Sequence, residues 1–188
     1  MLRFLKFLVH DALGIFGFAL VAALLPEAFA ARLLGLGARL HLGHPDIDAA
    51  QAAAERCWPE RSFDRVAFRR MTLAEASMAW RLVFGRRLAL EIDGEWPDRP
   101  GFAAIGGHYG IGIAVLWAMR EAGLRPRFLL HPPDPGQRRR RPMMYAWSRI
   151  RFRLVGKLCP DGAIVTPGAR RALEQALDAG ATSPVLLL

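Results

Sequence analysis

The spacing of apolar and polar positions changes twice along the chain. From Met1 to Leu25 it reads MLRFLKFLVHDALGIFGFALVAALL, with Arg3 and Lys6 at its start and an uncharged stretch from Ala12 to Pro26. That stretch falls short of the roughly 20 residues a helix needs to cross a bilayer. Three readings stand for the segment. A cleaved signal peptide fits the positive start, the short apolar run and Ala28-Phe29-Ala30, but His10 and Asp11 sit badly before its apolar core. A buried core helix is the second. The third is an uncleaved helix that dips into or crosses the cytoplasmic face of a membrane, with Arg3 and Lys6 inside, and the positive charge further along favours it.

From Asp46 to Arg87 the spacing is helical. Ala49–Arg56 ends at Trp58-Pro59, and Ser62 or Asp64 is placed to cap a helix over Val66–Arg70. Thr72-Leu73-Ala74-Glu75 matches a capping box, which predicts a fresh helix start there, running through Trp80 to Gly85. The turn-forming run from Asp93 to Gly101 marks a boundary.

Beyond it, short apolar runs alternate with helical stretches. Strands are predicted over Phe102–Ile105, Arg127–Leu130, Ala163–Val165 and Pro184–Leu188. Helices are predicted over Ile111–Gly123 and Met143–Leu158, with a third started by Thr166 and Pro167 and stopped by Gly180. This alternation predicts an α/β fold with a mostly parallel sheet and flanking helices, behind N-terminal helices. The expected domains are an apolar membrane-associated helix over 1–26, a helical region over 27–98 and a partial α/β domain over 99–188.

Composition narrows the partners. The 188 residues are 53% hydrophobic and carry a net charge of +9, which excludes a disordered tail. Two cysteines, Cys57 and Cys159, exclude a disulfide scaffold and a four-cysteine zinc motif, and His10, His41 and His44 lack partners at metal spacing. A basic yet apolar chain points first to an anionic membrane surface. Only Lys6 and Lys157 are lysines among 26 cations, a bias that a GC-rich genome explains as well as a need for bidentate anion binding.

Gly106-Gly107-His108-Tyr109-Gly110-Ile111-Gly112-Ile113 lies where the first α/β strand hands over to a helix. Ligands of open α/β sheets bind at the carboxyl ends of strands, and glycines let the backbone approach closely. A helix N-terminus favours neutral imidazole, so His108 is a candidate general base; the competing reading is a structural histidine in a Gly-rich turn. The glycine spacing does not fit a dinucleotide fingerprint.

This Gly-His-Tyr-Gly block resembles the His-Phe-Gly block of the bacterial lipid A biosynthesis (lauroyl/myristoyl) acyltransferases, within the lysophospholipid and glycerolipid acyltransferase superfamily. Further blocks follow in the family's order: the apolar N-terminus, Trp58-Pro59 with Ser62, Phe128-Leu129-Leu130-His131-Pro132, Arg149-Ile150-Arg151, and Ala172 through Gly180. The resemblance implies a glycerolipid-acyltransferase-like fold whose C-terminal part, beyond Leu188, is missing here. It implies transfer of a fatty acyl group from acyl carrier protein or acyl-CoA to a hydroxyl of a lipid or glycolipid, at the cytoplasmic side of a bacterial inner membrane. No cofactor, metal or nucleic acid is implied.

In the family the histidine begins an H-x-x-x-x-Asp/Glu motif, whose acid orients the imidazole as in a triad. Here the acid position is Ile113. An aliphatic side chain cannot orient an imidazole, and losing a triad acid costs about four orders of magnitude in rate. The alternative function is therefore a non-catalytic homologue that binds lipid or acyl carrier protein at the membrane surface. The expected site is His108 as base, with Gly107, Tyr109 and Gly110 shaping the corner. Arg138, Arg139, Arg140 and Arg141, with Arg149 and Arg151, are expected to contact anionic substrate groups; a merely solvated charged loop is the competing reading for the run.

Overall fold

The computed structural model describes residues 2–40, 45–99, 101–105, 112–130, 132–165 and 169–187, and divides the chain into two compact units. One comprises 1–84 and 135–147, the other 85–134 and 148–188. This differs from the boundaries expected at 26 and 98. The N-terminal helix packs with the helices that follow it, and a segment from the middle of the expected α/β domain joins them. Charge explains the second difference, as the contacts of Arg141 below make plain.

The first unit is helical. Its first rod consists of α1 (Leu2–Asp11), a π-helical segment π1 (Ala12–Ala19) and α2 (Leu20–Leu24). Phe4–Leu24 is 21 residues long and apolar enough to cross a membrane by length and composition, longer than the uncharged stretch suggested, because Lys6 and Asp11 lie within the helix. The rod ends where Leu25 turns extended before Pro26. The carbonyl of Pro26 accepts from the N–H groups of Phe29 and Ala30, starting α3 (Glu27–Leu40).

Next come α4 (Pro45–Cys57) and α5 (Arg65–Val83). Asp64, not Ser62, caps α5: its Oδ1 accepts from the N–H of Ala67 at 2.9 Å. The helix start expected at Thr72 is absent, since α5 runs through it unbroken. The Thr72 hydroxyl instead donates to the Arg69 carbonyl at 2.9 Å, the local bond a threonine makes inside a helix. Gly85 stops the helix at a φ of 69°, a conformation glycine adopts without strain.

The core of this unit is built from small residues. Ala22, Ala30, Leu34, Ala38 and Leu73 form one buried cluster. Gly37 lies so close to π1 that a Cβ there would come within 2.8 Å of the Phe18 ring. Trp80 of α5 packs edge-on against Phe16 and stacks on Phe84. It also meets Trp147, with ring centroids 5.3 Å apart.

The second unit is α/β. Strands β1 (Ala103–Ile105), β2 (Arg127–Leu130), β3 (Ile164–Val165) and β4 (Val185–Leu187) form a parallel sheet in the order β1-β4-β2-β3. Each pair is in parallel register: Ala103 faces Val185, Arg127 faces Val185 from the other side, and Leu129 faces Ile164. Parallel strands need covered crossovers, and helices supply them. These are α6 (Gly112–Glu121), the part of α8 (Pro142–Leu158) beyond Trp147, and α9 (Ala169–Gly180); the short α7 (Gln137–Arg140) and the start of α8 belong to the helical unit. The boundary between the units falls inside α8, after Trp147.

Buried Leu116 and Met119 of α6, Leu154, Val155 and Leu158 of α8, and Val185 and Leu186 of β4 are its apolar interior. Gly101, just before β1, admits no side chain because the backbone of Gly180 and Ala181 occupies that space. β2 coincides with its expected run, and the other three strands each start one residue later than theirs.

Candidate functional site

The strands are all parallel, so their carboxyl ends share one edge of the sheet, the edge where α/β proteins bind ligands. In sequence, the Gly-His block follows β1 directly and ends where α6 begins. His108, Gly107, Tyr109 and Gly110 themselves lie outside the described residues, as do His41, His44, His131, Thr166 and Pro167. Ile113, at the second position of α6, is 3% exposed and packs in the core. The position at which the resembled family carries its acid is thus a hydrophobic core position in this chain.

The candidate cations are divided between the two units. Arg149 and Arg151 belong to the α/β unit: on α8 Arg149 and Arg153 are exposed, while Arg151, half a turn round from both, is half-buried. Steps of two residues therefore do not align these three side chains on a helix. Arg138, Arg139 and Arg140 are exposed on α7, in the helical unit.

Arg141 departs from the surface role expected of it. Its Nη2 lies 2.8 Å from Asp11 Oδ1 and its Nε 3.2 Å from Asp11 Oδ2, a two-pronged grip on a carboxylate that is only 2% exposed. Its Nη1 and Nη2 also reach both carboxylate oxygens of Asp46, each at 3.0 Å. The face of the guanidinium lies 4.3 Å from the centre of the Phe7 ring. Arg141, the residue preceding α8, thereby clasps the end of α1 and the first turn of α4. Desolvation works against its charge, but the bonds to Asp11 and Asp46 prevail and hold its pKa above the ordinary value.

A second guanidinium lies close by. Arg69 of α5 is 8% exposed and packs against Gly14 of π1, where a Cβ would collide with its Nη2. Burial holds its pKa below the ordinary value, opposed by the charges of Asp11 and Asp46 and reinforced by that of Arg141. Its Nη1 reaches the Thr72 hydroxyl at 3.4 Å, whereas its Nε and Nη2 meet no acceptor among the described residues. Two positive and two negative groups converge here, so the cluster is neutral in sum. Trp80 donates its indole N–H to the Ile15 carbonyl at 3.0 Å, a polar tie between α5 and π1.

The sequence carried one sign of this cluster. An acid inside an apolar helix needs a cationic partner, because an unpaired buried carboxylate is costly. Asp11 stood out in the sequence only as a charge ill placed before a signal peptide's apolar core; its partner is 130 residues away and no spacing links them.

In the α/β unit, Arg125 makes a two-pronged pair with Asp161, with Nε at 3.0 and 3.2 Å from the carboxylate oxygens. The bond from Arg125 holds the Asp161 carboxyl below its ordinary range. Among the described residues no three His, Cys, Asp or Glu side chains converge to hold a metal. Comparison with protein-family models, with curated proteins and with solved structures finds no match for this chain.

Proposed function

We propose that this chain is an acyltransferase-type protein acting at the inner leaflet of a bacterial inner membrane. The observation that carries the reading is the parallel sheet whose first strand runs directly, in sequence, into Gly-His-Tyr-Gly. The apolar helix Phe4–Leu24 and the family-like order of blocks support it. In this reading His108 takes the proton from an acceptor hydroxyl as that oxygen attacks the carbonyl of an acyl thioester. The carbon–sulfur bond then breaks, and the thiolate takes up the proton and leaves. The donor is acyl carrier protein or acyl-CoA, and the acceptor is a lipid or glycolipid of the lipid A type. Gly107, Tyr109 and Gly110 shape the corner, while Arg138, Arg139, Arg140, Arg149 and Arg151 attract the anionic donor and acceptor.

The second reading is a non-catalytic homologue that binds lipid or acyl carrier protein. Buried Ile113 favours it, since it leaves the imidazole without the acid of the resembled motif. Acyl transfer from labelled acyl thioesters to membrane glycolipid, by wild type and His108→Ala, separates the two. The enzyme reading expects slow transfer abolished by the substitution, about four orders of magnitude below a complete triad. Equal inactivity of both proteins, with binding retained, establishes the second.

A further inference from the structure

The rod of π1 and α2 and the helix α3 form a hairpin. Gly37 packs against Phe18, Ala30 shares a cluster with Ala22, and Leu73 of α5 contacts both Gly14 and Gly37. Residues near the start of π1 therefore lie beside the end of α3, and the turn at Leu25-Pro26-Glu27 is the far tip. At the open end, Arg141 holds Asp11 with one set of bonds and Asp46 with another. The chain thus enters and leaves the hairpin at one level. That level is wet: Asp46 is half-exposed, and Arg138, Arg139 and Arg140 alongside are exposed.

This geometry bears on how the apolar helix meets a membrane. Beyond Asp11 the rod has only about 14 residues, or about 21 Å, against a hydrocarbon core of about 30 Å. The tip is also polar, for Glu27 is exposed there and Arg81 donates to the Leu25 carbonyl at 3.1 Å. Charges in hydrocarbon are costly, so an upright insertion with this tip at mid-bilayer is unfavourable. What the hairpin does offer is a side. Both arms pack on α5, and away from it they expose Val9, Leu13, Val21 and Leu24 on the rod and Phe29 and Leu36 on α3. Exposed Lys6, Arg32 and Arg39 border these apolar side chains.

We propose that this face seats the protein flat on one leaflet of an anionic bilayer, apolar side chains among the acyl chains and Lys6, Arg32 and Arg39 at the headgroups, without crossing the membrane. Amphipathic helices bind interfaces in this way, by apolar burial together with attraction to anionic lipid. The proposal rests on the membrane-surface part of the function proposed above, not on its chemistry.

Sidedness provides the test. In the full chain carrying Cys57→Ser, with buried Cys159 left in place, single cysteines are introduced as Lys6→Cys, Glu27→Cys and, as an aqueous reference, Arg139→Cys. Sealed membrane vesicles from the expressing cells are treated with a membrane-impermeant maleimide. All three positions are expected to label from the same side, whereas labelling of positions 6 and 27 from opposite sides overturns the proposal. The purified chain is then titrated with phosphatidylcholine vesicles, with and without phosphatidylglycerol. The gain from phosphatidylglycerol is expected to fall about tenfold in Arg32→Gln/Arg39→Gln, which alters only exposed side chains. An unchanged gain, or no vesicle binding at all, also overturns the proposal. His108→Ala is expected to leave labelling and vesicle binding untouched, so a wild type as inactive in acyl transfer as this variant counts against the chemistry and not against the seating.

Discussion

Arg141 engages two carboxylates of the helical unit at once. Its two carboxylate partners differ in setting: Asp11 is 2% exposed, whereas the Asp46 side chain is 52% exposed. Removing the cation strands a buried carboxylate, and breaking such a pair costs about 3–5 kcal/mol. Arg141→Gln is expected to lower unfolding stability by about 3 kcal/mol in urea titration, and Asp46→Asn by about 1 kcal/mol or less, the worth of a pair in contact with water. The double variant Asp11→Asn/Arg141→Gln should be more stable than Arg141→Gln alone, since the buried charge leaves with its partner. An additive loss would mean that the two residues do not act as a pair. A run of four arginines reads as surface from sequence, because local pattern says nothing about which member meets a distant acid. The same limit applies to Arg69, which looks like any helical arginine until Gly14 lets it approach.

At the scale of elements, sequence and structure agree where the signal is local and differ where it is shared. The strands were legible from short apolar runs bracketed by glycine and proline, and Gly85 marked a true helix end. The order β1-β4-β2-β3 was not legible, because parallel register depends on contacts across the chain. Thr72-Leu73-Ala74-Glu75 satisfies the pattern of a helix start, yet a helix already under way absorbs it. The π geometry of Ala12–Ala19 was equally hidden, for it coincides with contacts that α5 supplies: the Trp80 bond to Ile15 and the approach of Arg69 to Gly14. One substitution pair distinguishes the true cap from the apparent one. Asp64→Ala removes the acceptor for the Ala67 N–H and is expected to cost about 1 kcal/mol. Thr72→Ala, which loses the helix-internal bond to the Arg69 carbonyl and the long 3.4 Å contact from Arg69 Nη1, is expected to cost less, measured by thermal unfolding.

Over the whole molecule, each unit carries one cysteine, in opposite settings. Cys57 closes α4 on the surface of the helical unit, while Cys159 follows α8 in the interior of the α/β unit. Burial pushes the Cys159 thiol up to about 11, against a smaller opposing effect of a backbone hydrogen bond at Phe128. Reactivity follows the thiolate and its exposure, so near pH 8 Cys57 is expected to react rapidly with a maleimide and Cys159 only when its unit opens. Both thiols reacting at one rate in the native protein would contradict the packing of α8. The same shift sets a pH dependence. Between about pH 8.5, where a free thiol ionises, and about 11, the unfolded chain loses the Cys159 proton that the folded chain keeps. The unfolded state then binds fewer protons, so stability falls as pH rises through this window. Cys159→Ala removes the group and is expected to flatten that fall in denaturation midpoints measured from pH 8 upward.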